Sequence, residues 1–546
     1  MPTLIGASFP SDPCATGPNY WTDCALHGDL TIDRSWKHEW PAAWAEPKCQ
    51  DSYPTCEILR AVATGQRAVR RRSTERPFHE LLTETERPMM KASYRLAASL
   101  LFTITSWHSQ TACADDLSGS AWDGSCMRQG QSWSMRIRID REGEALRATA
   151  DFPDYGIYAR RLQAVANGNE IVLRGLMRES AVTLRGLVAD QEIRGVFTAS
   201  GREFGGERVQ ADIILRRSPT PFRALVSEEI VFESAGRKLA GTIIRPAEDG
   251  PHPAIVWTHG SGPQSRLTTF YASRAYLAAQ HGIAALIYDK QGVGKSTGDW
   301  KTATLSDLAD DALAGVRFMK SHPKIKPDRI GIGGMSQGGW IAPLAASRSD
   351  EIAFVVVGSV PGVTPLEQNN FSVESRLKRE GVAEDQIARI LKIRRQYDDF
   401  WRTGNGREAV EQELAAARTT YGAEPWFKPA LLPESPIEPG DPKWAREYML
   451  IDPAEVWQKV TAPVLAVWGQ LDGEVPAEKS REILDSALRR AGNRDFTLRV
   501  FPKAGHGMSV VRLDAGAWDW PRLAPGYDEL LVTWLKERAQ VARQDR

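Results

Sequence analysis

Residues 329–347 read RIGIGGMSQGGWIAPLAAS, and the order of their parts decides the fold. RIGIG is short, apolar and strand-like, QGGWIAPLAAS has a helical pattern, and Ser336 stands at the junction. A serine on a tight strand-to-helix turn presents its hydroxyl at the end of a sheet. Such a turn needs glycine on both sides of the serine, because strand and helix pack closely there. Gly334-Met335-Ser336-Gln337-Gly338 supplies both glycines. G-x-S-x-G alone is a weak signal at ordinary Gly and Ser usage, so the setting carries the reading.

A second copy of the pattern shows why. Residues 288–300 read YDKQGVGKSTGDW and contain Gly294-Lys295-Ser296-Thr297-Gly298. Ser296 lies between turn-like segments, so it is not the nucleophile. The stretch also nearly matches the phosphate loop G-x-x-x-x-G-K-[ST]. The first glycine of that pattern would fall on Asp289, whose carboxylate would face the phosphates. No helix follows the Lys-Ser pair to offer its N–H groups to an anion. The charge balance, 69 basic against 69 acidic residues, gives no pull toward nucleic acid. Neither a nucleotide nor a nucleic acid is expected as a partner.

A serine hydroxyl needs a base. Of the nine histidines, at 27, 38, 79, 108, 252, 259, 281, 322 and 506, only His506 follows Ser336. Hydrolases built on this turn run in the chain order Ser, acid, His, which leaves His506, in the glycine-flanked KAGHGM after the apolar TLRVF. The acid belongs just past a strand between the two. Asp472 follows PVLAVWGQL directly, with Glu474 as the fallback. A buried carboxylate there orients the imidazole and stabilises its protonated form. Two backbone donors should hold the oxyanion. One is the N–H of Gln337. The other comes from Thr258-His259-Gly260-Ser261-Gly262 after PAIVW, with the N–H of Ser261 as the choice. His259 is then structural.

Around these residues, apolar runs alternate with helical stretches from about residue 226, starting with a hairpin in EEIVFESAGRKLAGTIIRP. Continuous apolar strands of this type belong inside a parallel sheet covered by helices on both faces. A helical, charged insertion over 361–461 interrupts the pattern and is expected to form a lid. Residues 118–217 differ: RIRIDREGEALRATADF, AVTLRGLVA and VQADIILRR alternate in the manner of strands, with Gly, Asn and Asp turns between. They predict a small all-β barrel or sandwich over 115–220, joined by a linker at RRSPTPFR (216–223).

The N-terminal part is read differently. Residues 1–88 hold Cys14, Cys24, Cys49 and Cys56 and show no period. They read as an extension outside the native protein. MMKASYRLAASLLFTITSWHSQTACADD follows, with Lys91 and Arg95, a short apolar run, and the small residues Ala112-Cys113-Ala114. That is the three-part pattern of a secretory signal, expected over 89–114 with cleavage near Ala114 and export to periplasm or medium. The mature chain would keep Cys126 as its one cysteine and fold without an internal disulfide. No apolar run is long enough to span a membrane.

From about 226 to 540 the chain resembles the α/β-hydrolases, on HGSG, YDKQGVGKS, GGMSQGG, WGQLDGEVP and AGHGM. Within that fold it is most similar to exported bacterial hydrolases related to the dienelactone-hydrolase and prolyl-oligopeptidase branches. The resemblance implies a structural loop at 288–296, with Gln291 where the family usually carries arginine. It implies acyl transfer to water: a carboxylesterase acting on a small ester substrate through an acyl enzyme on Ser336, without metal or organic cofactor. The nearest rival is a serine peptidase or amidase of the dipeptidyl or acylaminoacyl type, whose acidic pair for the substrate amino group is not visible near any motif. A rival of another class is a non-catalytic binding protein. Ser, Asp and His in the right order argue against it.

Overall fold

The computed structural model describes residues 117–177, 180–201, 208–220, 222–434, 436–510 and 522–540. The expected extension (1–88) and signal segment (89–114) lie outside them.

Eight strands form the first body: β1 (Ser120–Arg128), β2 (Gln131–Glu142), β3 (Ala145–Phe152), β4 (Ile157–Asn167), β5 (Glu170–Met177), β6 (Ser180–Ala189), β7 (Glu192–Ser200) and β8 (Arg208–Arg217). Each runs antiparallel to the next, and β8 pairs back to β1, so of barrel and sandwich the chain adopts the closed barrel. The period-2 pattern builds it. Along β6, Val182, Leu184 and Val188 point into the core while Arg185, Leu187 and Ala189 are exposed. Trp122, Trp133, Phe152 and Phe197 fill the interior beside Cys126, which is 1% exposed. Tight turns join the strands. Gln129 and Gly130 both sit at positive φ, 49° and 75°, as two-residue hairpin turns require. Arg216 and Arg217 belong to β8, so the link begins at Ser218, later than the composition suggested. The Ser218 hydroxyl ties the link to Asp123 at 2.5 Å.

The second body is an eight-stranded sheet of β9 (Leu225–Ser234), β10 (Arg237–Pro246), β11 (His252–Trp257), β12 (Ala284–Tyr288), β13 (Ile325–Met335), β14 (Val355–Gly358), β15 (Val464–Gly469) and β16 (Phe496–Phe501). Their order is β16-β15-β14-β13-β11-β12-β10-β9. β9 and β10 form the antiparallel hairpin at one edge, and the neighbours from β12 to β16 run parallel. Parallel strands buried on both faces serve two cores. In β11, Ala254 and Val256 face the helices Leu305–Ser321, Gly338–Ala346 and Ala477–Arg490. Ile255 and Trp257 face Thr269–Gln280 and Tyr527–Gln540 on the other side. Local sequence fixes where helices start: Thr304 caps Leu305–Ser321 by a capping box with Asp307.

Between β14 and β15 the insertion folds as the helices Pro365–Arg379, Glu384–Thr403 and Arg407–Tyr421, with apolar clusters of its own around Leu377, Ile390, Phe400 and Leu414. No helix among the described residues is long and apolar enough to cross a membrane.

Polar contacts seat the barrel against the second body. The Arg274 guanidinium pairs with Asp528 and donates to the Gly156 carbonyl at 3.0 Å. The Tyr158 hydroxyl donates to Asp528 at 2.6 Å, and Arg522 lies 4.0 Å over the Trp133 ring. Arg274 is 2% exposed, so Asp528 would lose its cation in a dry setting. Arg274→Met should cost about 3 kcal/mol, and denaturant unfolding followed by circular dichroism should show an earlier transition. An unchanged midpoint would mean the pair is not what seats the barrel.

Candidate active site

Ser336 follows the last residue of β13 and precedes the helix Gly338–Ala346. Its φ is +56°, a left-handed conformation that a non-glycine residue adopts only under constraint. The constraint is packing. A Cβ on Gly334 would stand 2.4 Å from Thr258 Oγ1, and one on Gly338 2.8 Å from the same atom. The turn therefore closes only with glycine at both positions. Ser336 is half-buried, Gln337 is buried, and the Ser336 N–H donates to Gly358 at the end of β14 (3.0 Å).

Asp472 and His506 meet across 34 residues of sequence. His506 Nδ1 lies 3.0 and 2.9 Å from the two carboxylate oxygens of Asp472. The Asp472 side chain is fully buried, and the N–H groups of Glu474 and Val475 donate to its Oδ1 at 2.8 and 2.9 Å. The imidazole is 12% exposed. Burial pulls its pKa down, but the Asp472 charge and hydrogen bond outweigh that and hold it above the ordinary histidine value. With Nδ1 facing Asp472, Nε2 is the ring atom left for a reacting hydroxyl. The Ser359 hydroxyl donates to the His506 carbonyl at 2.5 Å, one residue from the Gly358 that binds Ser336. Adjacent residues at the end of β14 thus hold both candidates. Glu474, the fallback acid, is engaged elsewhere: its carboxylate accepts from the Ser372 hydroxyl of the insertion, and its carbonyl from Gln368.

The loop after β11 brings Gly260 beside the serine: a Cβ on Gly260 would be 4.0 Å from Ser336 Cβ. The Gly260 N–H is bonded to the Tyr271 oxygen at 2.5 Å. The N–H groups of Ser261 and Gln337 have no partner among the described residues. His259 is buried, with Nε2 2.5 Å from the Tyr288 carbonyl, in the structural place expected of it. Burial, helped by the nearby Lys290 charge, pulls its pKa down to about 3.

One residue here escaped the sequence reading. Lys290 is 2% exposed, and its Nζ donates to the carbonyls of Gly260 (2.7 Å) and Gly262 (2.9 Å) and to Gln337 Oε1 (2.8 Å). Three acceptors for three ammonium hydrogens hold the proton on. Burial, with no carboxylate against it, brings the pKa down to about 7. The carbonyl of Gly260 and the N–H of Ser261 belong to one peptide group, so the contact fixes and polarises that donor. Gln337 Nε2 in turn donates to the Tyr448 hydroxyl of the insertion at 2.5 Å. Local sequence gave no hint of this set, which joins β12, β13 and the insertion.

The rest of the 288–300 stretch is structural. Asp289 is buried, paired with Arg266, and accepts from the Lys295 N–H at 2.9 Å. Ser296 Oγ donates to the Asp289 carbonyl at 2.7 Å and accepts from the Ala240 N–H at 3.0 Å. Gln291 donates to Asp311 at 3.0 Å, where Arg237 also binds at 2.9 Å, so a cation from β10 reaches that carboxylate.

The profile of a family described as X-Pro dipeptidyl-peptidase (S15 family) matches residues 235–501. Esterase EstD of Thermotoga maritima is 26% identical over 276 residues, covering 50% of this chain and 58% of that protein. Thiohydrolase aneE of Aspergillus aculeatus is 26% identical over 199 residues, covering 36% of this chain and 52% of that one. The chain therefore spans less than two thirds of either relative. Among solved structures, the Pyrococcus furiosus esterase Pf2001 aligns at a TM-score of 0.36 and 16% identity, covering 57% of this chain and 93% of that chain. The profile spans β10 to β16, and the family and both relatives are hydrolases by their descriptions.

Proposed function

We propose that this chain, a serine hydrolase of the α/β-hydrolase superfamily, is a carboxylesterase. The observations that carry the reading are the left-handed Ser336 turn and the Asp472–His506 pair, both tied to the adjacent residues Gly358 and Ser359. In the proposed mechanism, Ser336 Oγ attacks the ester carbonyl carbon while His506 Nε2 takes its proton. The charge that develops on the carbonyl oxygen is met by the N–H groups of Gln337 and Ser261. Collapse releases the alcohol, which takes the proton from His506, and leaves an acyl group on Ser336. Water, deprotonated by His506, then attacks that acyl carbon, and as the acid leaves His506 gives the proton back to Ser336 Oγ.

The name of EstD supports the ester reading, and the S15 profile supports a peptidase as the second reading. Both use the same three residues, so substrate has to separate them. The ester reading predicts turnover of p-nitrophenyl acyl esters at rates at least about 100-fold above those on aminoacyl-proline anilides, since the amide is the harder bond. Parallel assays on one preparation check it, and a preference for the anilides would replace esterase by peptidase.

A further inference from the structure

The insertion holds a cavity of about 190 Å³ that none of the steps above uses. Tyr397, Trp401 and Trp444 supply rings to its wall, and Leu366, Met449 and Leu450 supply aliphatic surface. Trp401 and Trp444 stand 5.5 Å apart at 79°, so one presents a face where the other presents an edge. That is the arrangement a flat ring completes by stacking on one and meeting the other edge-on. An apolar cavity of about 150 Å³ already takes benzene, so this one has room for a single substituted ring.

Its polar groups favour a neutral guest. Arg402 is paired with Asp399 at 2.7 Å. Asp398 accepts from Asn370 at 3.3 Å, and the same Asn370 accepts from Arg394 at 2.9 Å, so a cation lies close behind the carboxylate. Neither sign of charge is left uncompensated for a charged ligand to answer.

Trp444 also connects the cavity to the reacting centre. It stacks on Tyr448 at 4.5 Å and 9°. The Tyr448 hydroxyl binds the side chain of Gln337, whose backbone N–H is a candidate oxyanion donor. A guest that presses on Trp444 therefore bears, through one stack and one hydrogen bond, on the residue next to Ser336.

We infer that this cavity is an aryl effector site: it receives a neutral aromatic ring, and the Trp444–Tyr448–Gln337 contacts couple its filling to the oxyanion donor. The inference rests on the esterase reading for its kinetic part, but its binding part is tested without catalysis. Ser336→Ala protein is titrated calorimetrically with phenyl acetate and with ethyl acetate. Phenyl acetate is expected to bind saturably and ethyl acetate at least about tenfold more weakly, because only the first carries a ring. Adding Trp401→Ala should weaken phenyl acetate at least about tenfold, while Trp401→Phe, which keeps a ring, should retain most of the affinity. Loss of affinity in both variants, or in neither, overturns the site.

Phenol then tests the coupling. In wild-type enzyme it should change kcat on ethyl acetate saturably, and Trp401→Ala should remove that change. An unchanged kcat on ethyl acetate at saturating phenol would overturn the coupling to the oxyanion donor. If no ester is hydrolysed yet phenyl acetate still binds in a Trp401-dependent way, the esterase reading falls and the aryl site stands.

Discussion

Ser336→Ala is expected to lower kcat on p-nitrophenyl esters by about 10⁶-fold, the scale on which loss of a triad nucleophile acts. The fold should survive, because Ser336 is held by its backbone: its N–H bonds to Gly358, and the Thr258 hydroxyl donates to the carbonyls of Gly333 and Gly338 on either side of it. Labelling by a fluorophosphonate should vanish with it. Ser296→Ala is the contrast within the same chain. It removes two buried hydrogen bonds, to Asp289 and from Ala240, and should cost about 1–2 kcal/mol of stability while labelling persists. Were Ser296→Ala to abolish labelling and Ser336→Ala to spare it, the assignment would reverse. Asp472→Asn should lower kcat by about 10⁴-fold with little change in KM, since it disturbs the orientation and proton affinity of His506 rather than substrate binding. The base works only as neutral imidazole, and Asp472 holds its pKa above the ordinary histidine value. The acid limb of kcat/KM therefore lies above that value, and the rate rises as pH increases through it.

Lys290→Met should lower kcat by about 10²–10³-fold and change KM little. Methionine keeps the length and loses the donors. The carbonyls of Gly260 and Gly262 and Oε1 of Gln337 are then left without the donor that aligns them. Those groups carry the two candidate oxyanion N–H donors, whose contribution is made in the transition state, so the loss falls on kcat. A role in support of the fold alone would not give that split. The pH profile offers a second readout. The ammonium fills all three acceptors, and burial brings its pKa to about 7. As pH rises through that value the amine keeps two donors for three acceptors, and the rate should fall. With the His506 limb on the acid side, wild-type kcat/KM traces a narrow bell, and Lys290→Met should lack the alkaline limb. An alkaline limb that persists in the variant would assign it to another group.

Much of the fold is legible in short stretches of the sequence. The period-2 runs gave the all-β body, the apolar runs between helices gave the parallel sheet, and the glycines of 334–338 marked the turn on which Ser336 stands at φ +56°. Asp472 and His506 were legible because each follows an apolar strand in the expected order, and the structure brings them within hydrogen-bond distance. All of these signals are local: period, turn chemistry and strand ends are written within about ten residues. Closure of the barrel was not, because it depends on β8 reaching β1 across the whole body. Nor was the part of Lys290. Its contacts reach 30 and 47 residues along the chain, and Gln337 meets Tyr448 across 111. A buried ammonium without a carboxylate is costly wherever it sits, and no short stretch of sequence shows which carbonyls will converge on it. The aryl cavity is the same kind of object: its walls come from three separate parts of the insertion, and only their packing against one another makes a space that a ring can enter.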